Sequence, residues 1–170
     1  LSSHKRGWDD RWEEFSSWAE KGQRIKARLM ELVDEDTAAF NGIMAAYGLP
    51  RASPEDVAAR KKAIQEATKK AVEVPLEVMR LATDAMPIVR AMVDIGNPNS
   101  VTDAGVAALA VRSAIFGAYL NVKVNLGGLN DADYVGRVTK ESDKLRDQAV
   151  LWEVEVLETV QEKIPKGGET

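Results

Sequence analysis

Apolar residues along the first third of the chain recur at steps of three and four: Trp8, Phe15, Trp18, Gly22, Ile25, Leu29, Val33, Asp36, Phe40, Ile43 and Tyr47 share one period, with a single acid among them. That period lays them along one face of an α-helix. Gly48, Leu49 and Pro50 end it. Ser53-Pro54-Glu55-Asp56 then starts a second helix with a capping hydroxyl, a proline at the first helical position, and acids in the first turn. This helix runs through Val57, Ile64, Ala67, Ala71, Val74 and Val78 toward Ile95, but Pro75 and Pro87 each remove an amide donor and predict a kink or a division.

The segment Gly96-Asn97-Pro98-Asn99-Ser100 reads as a turn, because glycine and asparagine tolerate a left-handed backbone and proline restricts its neighbour. A third helix follows, to about Leu126. Val106, Leu109, Phe116, Leu120 and Val124 form one face of it, while Ala107, Ala108, Val111, Ile115 and Val122 make the other side apolar too. A helix apolar nearly all round belongs in the centre of a fold or at a subunit interface. Gly127-Gly128 ends it, and Asp131 caps a last long helix striped by Tyr134, Val138, Leu145, Ala149, Trp152, Val156 and Val160. No strand alternation, repeat or low-complexity segment interrupts this pattern. It predicts an all-α fold over residues 1–170: one domain, a bundle of about five helices, completed by a second copy into a homodimer.

Composition narrows the chemistry. Of 170 residues, 45% are apolar and 29% charged, a globular balance. The longest weakly polar run, Val101 to Val111, stops at Arg112, short of the roughly 20 residues of a bilayer span, so no membrane partner is expected. A net charge of −4 with the signs interspersed leaves no basic stripe for nucleic acid. Without cysteine there is no thiolate nucleophile or Cys-bound metal, which fits a reducing compartment; cytoplasm is the default expectation. His4 is the one histidine, so neither a Ser-His-Asp triad nor a multi-histidine metal site is expected. Neither GxxxxGK[ST] nor GxGxxG occurs, which removes support for nucleotide chemistry.

Asp36 is the most informative residue, because it lies on the side of its helix that carries Leu29, Phe40 and Tyr47, whereas Asp34 points away. A carboxylate there is desolvated, paired, or at the lip of a pocket; desolvation would raise its pKa toward a range useful for proton transfer. The alternatives are an ion pair with a neighbouring helix, or a helix break near residue 35 that makes Asp36 a cap. Asp103 sits in the first turn of the third helix, where capping explains an acid as well as function does. Asn121 and Asn125, one turn apart on an apolar helix, are either a hydrogen-bonded brace or ligand contacts. Eighteen residues, about 27 Å of helix, separate Asp103 from Asn121, so one small reacting centre cannot touch both, whereas a long ligand or a site shared across a homodimer can. Lys61-Lys62 and Lys69-Lys70 read as a solvated face, with polyanion recognition as the alternative. Lys5-Arg6 is either a frayed end or a carboxylate-binding pair beside Trp8.

Several ordered segments together resemble a known family: Leu32-Val33-Asp34-Glu35-Asp36-Thr37-Ala38-Ala39-Phe40, then Val72-Glu73-Val74-Pro75-Leu76, the turn Gly96-Asn97-Pro98-Asn99 leading to Thr102-Asp103, and Phe116-Gly117-Ala118-Tyr119-Leu120-Asn121-Val122 through Asn125-Leu126. They look like the cyclodeaminase domain of formiminotransferase-cyclodeaminase and the related bacterial methenyltetrahydrofolate cyclohydrolases, from His4 to about Ile164. The resemblance implies an all-helical homodimer that acts on a tetrahydrofolate derivative, which can be polyglutamylated, without metal or redox cofactor. The implied reaction is closure of 5-formiminotetrahydrofolate to 5,10-methenyltetrahydrofolate with release of ammonia, a step of histidine degradation. The alternatives are hydrolysis of the methenyl form and a catalytically silent folate-binding or structural dimer. It further implies Asp36 as catalytic acid and base and Asp103 as second carboxylate or pterin anchor. Asn99, Asn121 and Asn125 would orient the substrate, and Lys5 and Arg6 would meet its glutamate carboxylates. Family members begin with a glycine-rich segment and a small-residue helix ahead of the basic pair, and the expectation is that this chain starts after them.

Overall fold

The computed structural model describes residues 6–164. Four long helices account for most of them: α1 (Trp12–Tyr47), α2 (Pro54–Ile95), α3 (Val101–Leu126) and α4 (Ala132–Lys163), with short 3₁₀ turns at Asp9–Arg11 and Pro98–Ser100. The start signals read from the sequence operate as written. Ser53 Oγ accepts from the Asp56 N–H while Asp56 Oδ2 accepts from the Ser53 N–H, both at 3.1 Å, a reciprocal capping box with Pro54 at the first position. Asp131 Oδ1 accepts from the Tyr134 N–H at 3.0 Å and starts α4.

Of the kink or division expected at the prolines of α2, division does not occur, and the described residues form four long helices rather than about five. Pro75 and Pro87 both lie inside one continuous 42-residue helix. The reason is packing on both sides of each proline. Val72, Leu76, Met79, Ala82, Met86, Val89 and Val93 are all buried, and breaking the helix would take half of that stripe out of register with its partners. Burial of that many side chains outweighs the roughly 3 kcal/mol a mid-helix proline costs.

α2 is the axis of the molecule. α1 runs antiparallel along it, tied by Arg11 Nη1 to the Ile95 carbonyl (3.3 Å) at one end and by Arg60 Nε to the Tyr47 carbonyl (3.1 Å) at the other. α3 is also antiparallel to α2, and Gln65 clasps the turn after it by donating to the Gly128 carbonyl and accepting from the Asn130 N–H, both at 2.8 Å. α4 lies parallel to α2, as the sequence of contacts Tyr134–Glu73, Arg80–Glu141 and Lys163–Val93 shows. Ile115, Ala118 and Val122 of α3 and Val138 and Ala149 of α4 close the core over the middle of α2. α3 has the length and mean hydropathy of a bilayer-crossing helix, yet it packs between α2 and α4, with Arg112 paired to Glu153 at 2.7 Å. Its outer face, including Val106, Leu109, Leu120 and Val124, is exposed.

The α2–α3 turn sits where the glycine and proline signals placed it, but for a different reason. Gly96 has φ −72°, not a left-handed value; a Cβ there would lie 2.3 Å from the Met92 carbonyl oxygen. Close approach, rather than backbone freedom, demands glycine. Gly96→Ala is therefore expected to destabilise the fold by more than about 1 kcal/mol, read as a lowered denaturation midpoint; an unchanged midpoint would show that the turn relaxes freely.

Candidate functional site

α1 is the least covered of the four helices, and one line of positions along it steps by three and four: Phe15, Trp18, Gly22, Ile25, Leu29, Leu32, position 36, Ala39, Ile43 and Ala46. Each of these is buried or half-buried except Asp36, which is exposed. Asp36 therefore stands on the packing seam without being packed. It is neither desolvated nor a helix cap, since α1 runs unbroken through it, and it makes no hydrogen bond or ion pair among the described residues. Of the readings open from the sequence, the lip of a pocket is the one that describes it.

That pocket is a cleft of about 450 Å³ between α1 and α3 with α2 as its floor. Leu29, Leu32, Val33, Asp36 and Thr37 form one wall, Val74, Pro75 and Val78 the floor, and Ala114, Ala118 and Asn121 the other wall. Asp36 and Asn121 are thus brought to one apolar hollow from helices that are 85 residues apart in sequence at these positions. Asn121, like Asp36, has no partner among the described residues. The neighbouring acid has a different fate: Glu35 faces Arg28, which also takes Glu31 (3.1 Å) and Glu77 (2.8 Å). The Arg28 guanidinium holds the Glu35 carboxyl below its usual range, and the three acids hold Arg28 protonated. Arg28 and its acids form a brace between α1 and α2, leaving Asp36 outside it.

Asp103 is not part of this cleft. It lines a second one, of about 480 Å³, further along the same α1–α3 groove, with Phe15, Trp18, Gln23, Lys26 and Asn97. Rise along α3 separates Asp103 from Asn121 by about 27 Å, so one chain does not assemble both aspartates around one atom. Asn99 is exposed in the turn, its N–H bonded to Asn97 Oδ1 at 3.2 Å. Asn125 is half-buried and donates to the Ala71 carbonyl at 2.8 Å, and it does not line the Asp36 cleft. Arg6 is exposed; Lys5 lies outside the described residues. Thr37, Lys26 and Trp18 line the clefts although the sequence does not mark them as site residues; the three–four alternation of α1 is the available signal, since Trp18 lies on the seam and Lys26 and Thr37 flank it. Among the described residues no three His, Asp or Glu side chains converge as a metal site requires.

On the far side of α1 a third cleft, about 820 Å³, is bounded by Glu35 and Gly42 of α1, Lys69 and Glu73 of α2, and Tyr134 of α4. Most of its polar groups already have partners within the fold. Tyr134 donates to Glu73 at 2.8 Å, and burial followed by that bond pushes the phenol well above its usual range. Lys69, read from the sequence as a solvated face, instead bonds Asp131 at 2.5 Å and lies 5.1 Å from the Tyr134 ring centre. Lys69 holds Asp131 below its usual range, and Arg80 does the same to Glu141. A carboxyl whose folded pKa lies below its unfolded value contributes stability above about pH 4 that is lost as pH falls through the folded value. The melting temperature is therefore expected to fall between pH 5 and pH 3, and Asp131→Asn is expected to flatten that fall. An equal acid dependence in the variant would remove Asp131 from the account.

Taken together, these features define an all-helical protein with open clefts along a central helix and an unpaired acid set in one of them. The chain belongs to the formiminotransferase-cyclodeaminase family, whose model matches residues 1–144. It is 36% identical over 145 residues to a methenyltetrahydrofolate cyclohydrolase of Methylorubrum extorquens, covering 85% of this chain and 70% of that protein. It is 35% identical over 127 residues to the formimidoyltransferase-cyclodeaminase of Rattus norvegicus, covering 75% of this chain but only 23% of that protein. The crystal structure of formiminotetrahydrofolate cyclodeaminase from Thermotoga maritima has the same fold, with a TM-score of 0.80 over 95% of this chain and 77% of that one, at 23% identity.

Proposed function

We propose that the protein converts one-carbon forms of tetrahydrofolate at the carbon carried by N5, closing 5-formiminotetrahydrofolate to 5,10-methenyltetrahydrofolate with loss of ammonia. The observation that carries this reading is Asp36: the one unpacked position on the α1 seam, unpaired, across an apolar cleft from Asn121. The relatives' names supply the substrate class. N10 attacks the carbon of the protonated formimino group (CH=NH2+) and forms the new C–N bond, leaving an NH2 on that carbon. The N10 proton leaves to a carboxylate, and the same proton passes to that NH2, which departs as NH3 as the old C–N bond breaks and the positive charge stays on the methenyl bridge. Asp36 serves as that base and then as that acid, one group in two roles because the two nitrogens sit on the same carbon. No oxidation state changes, so acid–base chemistry suffices. Asn121, with one donor and one acceptor edge, orients the amide-like substrate atoms. Asp103 anchors a more distant part of a long ligand, or belongs to the site of a second copy, and Lys5 and Arg6 meet glutamate carboxylates.

A second reading has its own support. The Methylorubrum protein, of which this chain covers 70%, is named a cyclohydrolase. There water adds to the cationic methenyl carbon, Asp36 takes one of its protons and passes it to N5 as the C–N5 bond breaks, and the second proton is released to solvent as the formyl C=O forms. The methenyl form absorbs in the near ultraviolet, which separates the two. Its appearance from 5-formiminotetrahydrofolate supports ring closure, its accelerated loss in buffer supports hydrolysis, and no change in either assay sinks both. The proposal includes a homodimer formed through the exposed apolar face of α3, which light scattering tests; a monomer at assay concentration would overturn it.

A further inference from the structure

A proline inside a helix leaves the carbonyl four residues earlier without its main-chain donor. For Pro75 that carbonyl is Ala71, and the side-chain amide of Asn125, on α3, donates to it at 2.8 Å. The surroundings are dry: Val72, Leu76 and Val122 are fully buried, and Pro75 and Leu126 nearly so. An unmet carbonyl there is costly, and water has little access to supply the bond. Pro75, with Val74 and Val78, is also the floor of the Asp36 cleft, and Asn121 stands one turn before Asn125 on α3.

We propose that Asn125 is a positioning residue rather than a ligand contact. Its amide replaces the N–H that Pro75 lacks, and the bond sets the spacing of α2 and α3 that holds Asn121 across the cleft from Asp36. The proline and the asparagine form a functional pair 50 residues apart in sequence. The positioning half rests on the reading of the Asp36 cleft as the reaction site; the pairing with Pro75 stands on geometry alone.

The test is a double-mutant cycle with Asn125→Ala, Pro75→Ala and both, read by thermal melting, by amide exchange across residues 72–79 of α2, and by kcat and KM in the assay above. Asn125→Ala alone is expected to lower the melting temperature by several degrees, speed exchange around Pro75, and reduce kcat/KM roughly 10- to 100-fold through misplacement of Asn121. With Pro75→Ala in place, residue 75 supplies the helical donor to Ala71. Whatever that change does by itself, adding Asn125→Ala to it then has little further effect on any of the three readouts.

Additive effects in melting and exchange overturn the pairing. Coupling in those two with an undiminished kinetic loss in the double variant overturns the positioning role and makes Asn125 a ligand contact. If the unsubstituted protein turns over neither folate, the catalytic reading of the cleft and the positioning role fall with it, while melting and exchange still decide the pairing.

Discussion

Asp36→Asn is expected to reduce turnover of the folate substrate by roughly 10²- to 10⁴-fold, the usual loss when a positioned acid–base group is removed, while the melting temperature stays where it was. The two halves of that expectation come from the same observation. Asp36 is exposed and makes no contact that its amide isostere would break, so the fold does not depend on it. Its position is nevertheless the only unpacked one on the α1 seam, and it opens on the cleft that Asn121 faces from α3. Glu35→Gln is the matched control, one residue away but directed at Arg28: it is expected to loosen the α1–α2 brace and leave most of the turnover. Full activity in Asp36→Asn would remove the acid from the mechanism, and an equal loss in Glu35→Gln would show that disturbing α1 anywhere near residue 36 is enough.

Leu76→Ala is expected to be the most damaging single truncation for stability, costing about 2–5 kcal/mol and lowering the melting temperature by roughly 5–15 °C. Leu76 is fully buried in the cluster that joins α2 to α3 and α4, and it directly follows Pro75. Its removal leaves a cavity where three helices meet, and α2, extended through both prolines, has little freedom to collapse into it. A loss below about 1 kcal/mol would mean that the helices close the gap, and that the continuity of α2 through its prolines does not depend on this packing.

Much of the fold was readable one helix at a time. Ser53, Pro54 and Asp131 act as start signals through bonds that reach three residues along the chain, so their meaning travels with the local sequence. The turn at Gly96 was found by the same local cues, although the contact that requires glycine, with the Met92 carbonyl, was not among them. Of the kink or division that the prolines predict, division does not follow, because their local effect is offset by the core packed on either side of each. Lys69 was read as solvated because Asp131, its partner, lies 62 residues away.

For the site, the sequence by itself determined that an acid falls among apolar residues on one side of the first helix and that two asparagines lie a turn apart on the most apolar one, because helical periodicity assigns faces without reference to neighbours. Which flank of that side packs it did not determine, since Val33, Phe40 and Tyr47 are exposed while Leu32, Ala39 and Ala46 form the seam. The resemblance to a folate-converting family was likewise legible in ordered motifs, and the family match bears it out. Tertiary structure alone decided that Asp36 meets Asn121 across a cleft, that Asp103 lies in another cleft, and that Asn125 is bonded to Ala71. The physical reason is the same in each case. Burial, partner and cleft are properties of how α1 and α3 flank α2, and no period along a single helix encodes which helices stand beside it or how far apart they are.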